Sequence, residues 1–382
     1  MIGQHIRKNT EKVFLFVLLL LINKLMLDYT QTSLHFKLLN EIGSEGRNST
    51  VHIAHDFQLD TEIVVKKINK TEFKNSNSFF DEAKRMYSSN HPNIAPIQYS
   101  CQDDEFIYIT MPLFKNGSLN ALINKRPLKL SEIIKYSIDF LSGLHHIHTK
   151  KLIHCDIKPT NILISNSNDA VLTDFGLAKY LDAEGYTTLD KFYHLHRAPE
   201  TLQTNIITHQ SDIFQAGLTV YRLCNGNGFF KNQMNKFMHP ITGFDDSAFQ
   251  KAILEGKFPD RTNYLTHIPQ KLRNYVRKAL AINPSERYFT VLDFLNDLSS
   301  IEIKYDWEFF PKQDGAEWRC INDEKEYIVS IESISQSDAS IKTTKRLLSK
   351  AKESQILNYS NKKVTFVDAY RIAKEVLHNN SI

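Results

Sequence analysis

The chain has 382 residues, of which 42% are apolar and 24% charged, ordinary globular values with length enough for two or three domains, each with its own core. Its formal net charge of +4 is too small to argue for nucleic-acid binding. Cys101, Cys155, Cys224 and Cys320 are scattered and form no CxxC pair, which makes a metal clip a poor reading and points to free thiols in a reducing, cytoplasmic compartment.

In chain order, the first segment is residues 1–32. Its apolar run "VFLFVLLLLI" (13–22) follows Arg7, Lys8 and Lys12, as in the opening of a signal peptide. No small-residue cleavage site follows; Asn23, Lys24 and Asp28 come instead. The run falls short of the roughly 20 residues a spanning helix needs. Three readings stay open: a start upstream of the true one, with Met26 as candidate, a peripheral anchor, or a short span extended through Leu25–Leu27. Any membrane association is confined to residues 13–27.

From Ser33, "LHFKLLNEI", "TVHIAHD" and "EIVVKKIN" read as strands, separated by Gly, Ser, Asn and Asp. A helical stretch over Ser78–Ser89 and strands near Ala95–Ser100 and Phe106–Met111 follow. The polar connection "PLFKNGS" (112–118) ends this strand-rich part. Helices come next, beginning with "LSEIIKYSIDFLSGLHHIH", where Ile133, Ile134, Ile138, Leu141 and Leu144 recur at helical spacing.

The chemistry concentrates in "LIHCDIKPTNILI" (152–164), which sets Asp156, Lys158 and Asn161 between two apolar runs. Phosphoryl transfer needs a carboxylate to orient the attacking hydroxyl, a cation near the moving charge and oxygen ligands for a metal ion. These three residues supply those types. Downstream, "LTDFG" places Asp174 after a short apolar strand; upstream, "IVVKKI" places Lys66 on a strand, with Glu82 on the helix that follows.

This constellation resembles the eukaryotic-type serine/threonine protein kinase family over roughly residues 34–300. The resemblance extends to "RAPE" ending at Glu200, to "SDIFQAGLTVYRL" with Asp212 as a brace for the catalytic loop, and to "NPSERY", whose Arg287 is the expected partner of Glu200. It implies an α+β, two-lobed fold: a kinase domain over 33–300, with a strand-rich N-lobe (33–111), a hinge (112–118) and a helical C-lobe (119–300). It implies ATP and Mg2+ as cofactors, Asp156 as catalytic base with Lys158 beside it, and Asn161 and Asp174 as metal ligands. Lys66 would grip the α- and β-phosphates, held by Glu82. Met111 would be the gatekeeper behind the adenine, with hinge bonds from the Pro112 carbonyl and the Phe114 backbone, and Leu163 belongs to the same site. Ala198, Pro199, Glu200 and Arg287 favour a protein substrate over a small molecule, and Lys158 two residues after the base is the serine/threonine pattern.

Departures from the family pattern carry expectations of their own. The phosphate-covering loop reads "IGSEGRNSTV" (42–51). With Val51 in the family's Val position only Gly46 of three glycines survives, Ser44 and Ser49 standing for the others; aligned on Gly43, the loop is shifted by one residue. Weaker nucleotide binding is expected. Val64 replaces the family's Ala and presses towards the adenine. Cys155 replaces the Arg that pairs with a phosphorylated activation segment, and a thiol makes no bidentate phosphate contact. Activity is therefore expected without phosphorylation of Tyr186, Thr187 or Thr188. Tyr193 and His196 also depart from the substrate-facing pattern. Together these motivate an alternative, a pseudokinase-like scaffold that binds nucleotide or protein. The presence of Lys66, Glu82, Asp156, Asn161 and Asp174 favours the active kinase. The cluster His145, His146, His148 and His154 reads as structural rather than metal-binding.

Beyond Ile303 the resemblance ends. "YDWEFFPKQDGAEWRCINDEKEYIVSIE" alternates apolar and polar residues around turns at Asp314-Gly315 and Asn322-Asp323, predicting an antiparallel sheet of about three strands. Helices are expected near Asp338–Asn358 and Thr365–His378, with Lys345, Arg346, Lys350 and Lys352 on a solvated basic helical face. Residues 301–382 thus read as an accessory α+β module that binds a partner protein or packs on the larger lobe.

Overall fold

The computed structural model describes residues 33–43, 49–72, 78–189, 194–350 and 352–379. The apolar run at 13–27, Gly46 and Tyr193 lie outside the described residues. Strands β1 (Phe36–Gly43), β2 (Ser49–Asp56), β3 (Thr61–Asn69), β4 (Tyr99–Gln102) and β5 (Phe106–Pro112) form an antiparallel sheet in the order β1-β2-β3-β5-β4. In β3 the period of two sends Ile63 and Val65 to one face, where they meet Ala54, and Val64 to the other, into the main core. β3 is central and covered on both faces, so Ile63 through Lys66 are all buried. Helix α1 (Asp81–Ser88) packs on the sheet through Ala83 and Met86.

The helical lobe comprises α2 (Leu119–Lys125), α3 (Leu130–Thr149), α4 (His209–Met234), α5 (Asp246–Leu254), α6 (Gln270–Ala279) and α7 (Val291–Ser299). Ser118 caps α2 by accepting from the Ala121 amide. α3 buries Ile133, Ile134, Phe140, Leu141, Leu144 and Ile147. α4 is interrupted at Gly226, whose φ of 75° and ψ of 165° belong to no helix. Short strands lie between α3 and α5: β6 (Leu152–Ile153), β7 (Ile162–Ile164), β8 (Ala170–Leu172), β9 (Lys179–Tyr180), β10 (Thr187–Thr188), β11 (Ile206–Ile207), β12 (Met238–His239) and β13 (Gly243–Phe244). They pair as β6-β9, β7-β8, β10-β11 and β12-β13.

Residues 308–378 build a second layer pair with its own core. Strands β14 (Glu308–Lys312), β15 (Gly315–Asn322), β16 (Lys325–Ser333), β17 (Asp338–Leu347), β18 (Ser354–Gln355) and β19 (Asn361–Thr365) form a six-stranded antiparallel sheet. Helix α8 (Phe366–His378) covers one face through Ala369, Ala373, Val376 and Leu377, against Trp318, Val329, Ile331 and Ile341. Gly315 has a steric reason: a Cβ there would stand 2.0 Å from the Ile331 carbonyl oxygen.

This sheet corrects two expectations. It has six strands rather than about three, and the segment expected as a helix from Asp338 to Asn358 is β17 followed by β18 and a short 3-10 turn. The cause is visible in "DASIKTTKRL", where Ala339, Ile341 and Thr343 alternate inwards at period two and Thr and Ile favour the pleated surface. Lys345 and Arg346 accordingly sit on a strand, not on a helical face. Among the described residues no helix is long and apolar enough to cross a membrane.

The module is docked on the helical lobe. The Asp306 carboxylate accepts from the Ser131 amide (3.0 Å) and hydroxyl in the first turn of α3, and Lys129 pairs with Glu308 at 3.3 Å. Phe309 stacks on His267, and the His378 ring donates from Nε2 to the Thr266 carbonyl at 2.8 Å.

Candidate active site

The cleft between sheet and helices gathers side chains from four separate elements. Lys66, on the Val64 face of β3, places Nζ 2.8 Å from Glu82 Oε1 on α1 and 2.6 Å from Asp174 Oδ1. Burial disfavours the ammonium, but Asp174 and then Glu82 outweigh it and raise the Lys66 pKa, so the charge is kept. Gly176 leaves room for this triad: a Cβ there would come within 3.3 Å of Asp174 Oδ1 and 3.5 Å of Lys66 Nζ. Asp174 has φ 64°, a turn that non-glycine residues seldom adopt. Phe175 is fully buried, edge-on to His154 at 5.0 Å.

The loop from β6 to β7 is held from below by α4. Asp212, fully buried, accepts from the His154 and Cys155 amides at 2.8 Å each and bonds the His148 Nε2 at 2.8 Å. Burial acts to raise its pKa, yet the His148 bond and charge hold it below the usual carboxylate value. One turn further along α4, Gln215 accepts from the Ile157 amide and donates to the Cys155 carbonyl. These bonds sustain the φ of 67° at Cys155.

Above this brace, Asp156 Oδ2 lies 2.8 Å from Lys158 Nζ and 2.8 Å from Asn161 Nδ2. Its Oδ1 is buried without a hydrogen-bond partner, an acceptor aimed at something the chain itself does not supply. Asn161 spends both of its described amide bonds on Asp156, while its Oδ1 accepts only a long bond, 3.3 Å, from the Thr160 hydroxyl. The Thr173 amide donates to the Asn161 carbonyl at 2.9 Å, tying the residue before Asp174 to the loop. A carboxylate, a carboxamide oxygen and an orphaned carboxylate oxygen form an oxygen-donor set that suits a hard divalent cation and a hydroxyl acceptor.

The residues expected around a nucleotide lie on the sheet side of the same cleft. Val64 and Met111 face each other in register across β3 and β5 and lie in the main core, with Val51 and Phe114 packed against it. Met111 Sδ touches the Thr173 hydroxyl at 3.8 Å. Gly43 pairs with Val51, and a Cβ there would only reach Val51 at 4.0 Å, so nothing in the contacts demands glycine. Pro112 ends β5 opposite Ile63. The Phe114 carbonyl accepts from the Gly117 amide at 3.0 Å, and Leu163 is half-buried between the buried Ile162 and Ile164.

The segment after Phe175 closes on a bidentate pair, Arg287 Nη1 and Nη2 on the two Glu200 oxygens at 2.9 and 2.7 Å. Thr187 and Thr188 pair with Ile207 and Ile206. Cys155 is buried in an apolar cluster with Ile153, Leu189 and Ile207, and Leu177 and Leu181 pack against it. Burial pushes its thiol pKa well up, which leaves it inert as a nucleophile. His196 is fully buried, with Nδ1 3.0 Å from the Ile157 carbonyl oxygen and Nε2 2.9 Å from Arg222 Nη1. Burial and the Arg222 charge hold it neutral, well below the usual histidine pKa. A cavity of about 710 Å³ opens beside Lys158 and Thr160, lined further by Leu195, Arg222, Phe230 and Lys231.

Thr173, Gln215 and Arg222 were not singled out in the sequence as parts of the site. Gln215 carried a usable signal, lying three residues after Asp212 on the same helix face; Thr173 and Arg222 act through contacts that only the fold creates.

The protein kinase domain model matches residues 36–297. The chain is 28% identical over 274 residues to the serine/threonine-protein kinase PrkC of Bacillus subtilis, covering 69% of this chain and 40% of that protein. It is 29% identical over 272 residues to the probable serine/threonine-protein kinase PknB of Lactococcus lactis, covering 69% and 42%. A probable protein kinase of Dictyostelium discoideum is 31% identical over 253 residues, 61% of this chain and 70% of that protein. The chain belongs to the eukaryotic-type protein kinase family. It spans about two fifths of the length of the two bacterial relatives.

Proposed function

We propose that this protein transfers the γ-phosphoryl group of ATP to Ser or Thr hydroxyls of protein substrates. The observation that carries the reading is the pairing of two features in one cleft. Lys66 is bridged between Glu82 and Asp174, and Asp156 keeps a buried carboxylate oxygen without a partner. In this reading Lys66, kept charged by its two carboxylates, receives the α- and β-phosphate oxygens. Asp156 Oδ1 accepts the hydrogen bond of the incoming hydroxyl and orients it as general base. Lys158, 2.8 Å from Asp156, offsets charge on the moving phosphoryl group. Asp174 and Asn161 Oδ1 would hold a divalent cation, Mg2+ here, whose role when bound is to neutralise the phosphate oxygens.

Val51, Val64, Met111 and Leu163 would enclose the adenine, with hinge bonds from the Pro112 carbonyl and, since the Phe114 carbonyl is engaged, the Phe114 amide. Gly43 and Gly46 would leave the phosphates thinly covered, lowering affinity for nucleotide. The apolar setting of Cys155 supports activity without a phosphorylated activation segment, because a segment held through Leu189 needs no phosphate to dock. The division into residues 1–32, a kinase domain over 33–300 and an accessory module over 301–382 belongs to the same reading, with the module serving the helical lobe or a partner protein.

The acceptor class is tested by phosphoamino-acid analysis of a generic basic protein labelled with [γ-32P]ATP and Mg2+. Label on phosphoserine and phosphothreonine is expected. Label confined to phosphotyrosine would overturn the assignment.

A further inference from the structure

Beside the Glu200–Arg287 pair lies a second cavity, of about 450 Å³, lined by Arg261, Asn274, Arg277, Lys278, Ile282 and Glu286 among others. Its wall is shared with that pair, since Arg287 bonds the Ala281 and Ile282 carbonyls that border it. Arg261 is the unusual member. Its Nε and Nη2 are buried and have no hydrogen-bond partner, and the nearby Tyr264 hydroxyl is also buried and unpartnered. Burial, together with the neighbouring Arg287 charge, pulls the Arg261 pKa down. A desolvated guanidinium lacking an acceptor is costly, and a second guanidinium alongside makes it more so. An anion seated in the cavity offsets this crowding of positive charge through the part of Arg261 that lines it, Nε and Nη2 themselves being sealed from the cavity.

We propose that this cavity recognises a phosphate monoester dianion carried on a phosphorylated Ser or Thr side chain of a protein segment. Arg261, Arg277 and Lys278 line it, the Lys278 ammonium resting over the Tyr288 ring, against the single carboxylate of Glu286 among its lining residues, an excess of positive charge that suits a dianion better than a carboxylate. Guanidinium forks match phosphate oxygens two at a time, and the Asn274 carboxamide adds a neutral donor. Arg277, Lys278 and Asn274 are exposed, so a docking segment reaches them without any opening of the fold. The cavity is larger than a bare ion fills, leaving room for the side chain that bears the phosphate. The choice of a protein-borne phosphate over other sources rests on the phosphoryl-transfer reading above, in which phosphoserine and phosphothreonine are this protein's own products. The basic lining does not depend on that reading.

The test is a fluorescence-anisotropy titration of the full chain, with saturating ADP present to occupy the catalytic cleft. The probe is a labelled Gly/Ser/Ala-rich peptide carrying one phosphothreonine, compared with its unphosphorylated twin, inorganic phosphate as competitor and phosphoinositide vesicles. Only the phosphopeptide is expected to bind, with affinity about tenfold or more weaker in Arg277→Gln and lower again in Arg261→Gln. Arg277 is exposed, so its variant keeps the test sound if the Arg261 variant folds poorly. Equal binding of both peptides, binding unchanged in Arg277→Gln, inorganic phosphate competing as well as the phosphopeptide, or capture by vesicles alone would each overturn the proposal. None of these readouts requires phosphoryl transfer, so a catalytically silent protein that binds the phosphopeptide would refute the proposed function and leave this inference standing.

Discussion

At the residue scale, the cleft works by leaving some groups satisfied and others pointedly open. Asp212, on α4, is saturated by two amides and His148, whereas Asp156, on the loop that Asp212 braces, has one oxygen bonded and one bare. Two buried carboxyls on one brace thus take opposite parts, one structural and one available for chemistry. A buried histidine at the module junction gives a pH signature. His267 donates from Nε2 to the Leu128 carbonyl at 3.1 Å, and burial lowers its pKa from 6.5 to about 4. The folded chain therefore keeps it neutral while the unfolded chain protonates it. Its contribution is full above about pH 6.5 and is lost as pH falls towards 4, at up to about 1.4 kcal/mol per pH unit. Urea denaturation at pH 7.5 and 5.5 should show a smaller pH-dependent loss in His267→Gln than in the wild type. An identical loss in both would contradict the assignment. Short-range spacing made Asp156, Lys158 and Asn161 legible in the sequence. Thr173 and Arg222 were not legible, because their roles depend on partners 62 and 102 residues away.

At the element scale, helices such as α3 follow the period of their apolar residues, because they have one clear buried face, whereas β3 and α4 are buried on more than one side. The misread element was β17. Its charged C-terminal half, with Lys342, Lys345 and Arg346, resembles a basic helix when counted in fours. The inward alternation of Ala339, Ile341 and Thr343 is masked by the polar threonine. Burial of Thr343 is possible because its hydroxyl donates to the Tyr359 carbonyl at 2.8 Å, a partner no local pattern announces. The segment after Phe175 shows the same dependence on tertiary contact. β10 and β11 pair through Thr187 and Thr188, and Leu189 beside them enters the Cys155 cluster. Replacing Thr187 and Thr188 together by Ala should leave initial phosphorylation rates within about threefold of the wild type, a barrier change well under 1.4 kcal/mol. A loss above about tenfold would show that phosphate on this segment is required after all.

At the scale of the whole molecule, the second core attaches at the first turn of α3, the helix that leads into the Asp156 loop. The meeting point is polar and specific: Asp306 reaches the first turn of α3 from outside and satisfies the Ser131 amide and hydroxyl, as a capping side chain would. Asp306→Ala leaves those donors to solvent and should cost about 1–2 kcal/mol, seen as a melting-temperature drop of about 2–8 °C by differential scanning calorimetry. An unchanged melting temperature would mean that the module docks through its other contacts, with Asp306 contributing nothing. The sequence resemblance stops near Ile303, and nothing in the composition of residues 301–382 announced where they would attach. That attachment lies in pairs such as Ser131–Asp306, 175 residues apart.

The measurement that bears most directly on the account is transfer of label from [γ-32P]ATP in the presence of Mg2+, comparing the wild type with Asp156→Ala and Asp174→Ala. The account predicts incorporation by the wild type and a fall of about 10²–10⁴-fold in Asp156→Ala, with a loss at least as large in Asp174→Ala. Comparable incorporation by all three proteins, or none by a folded wild type that binds ATP and Mg2+, would contradict it.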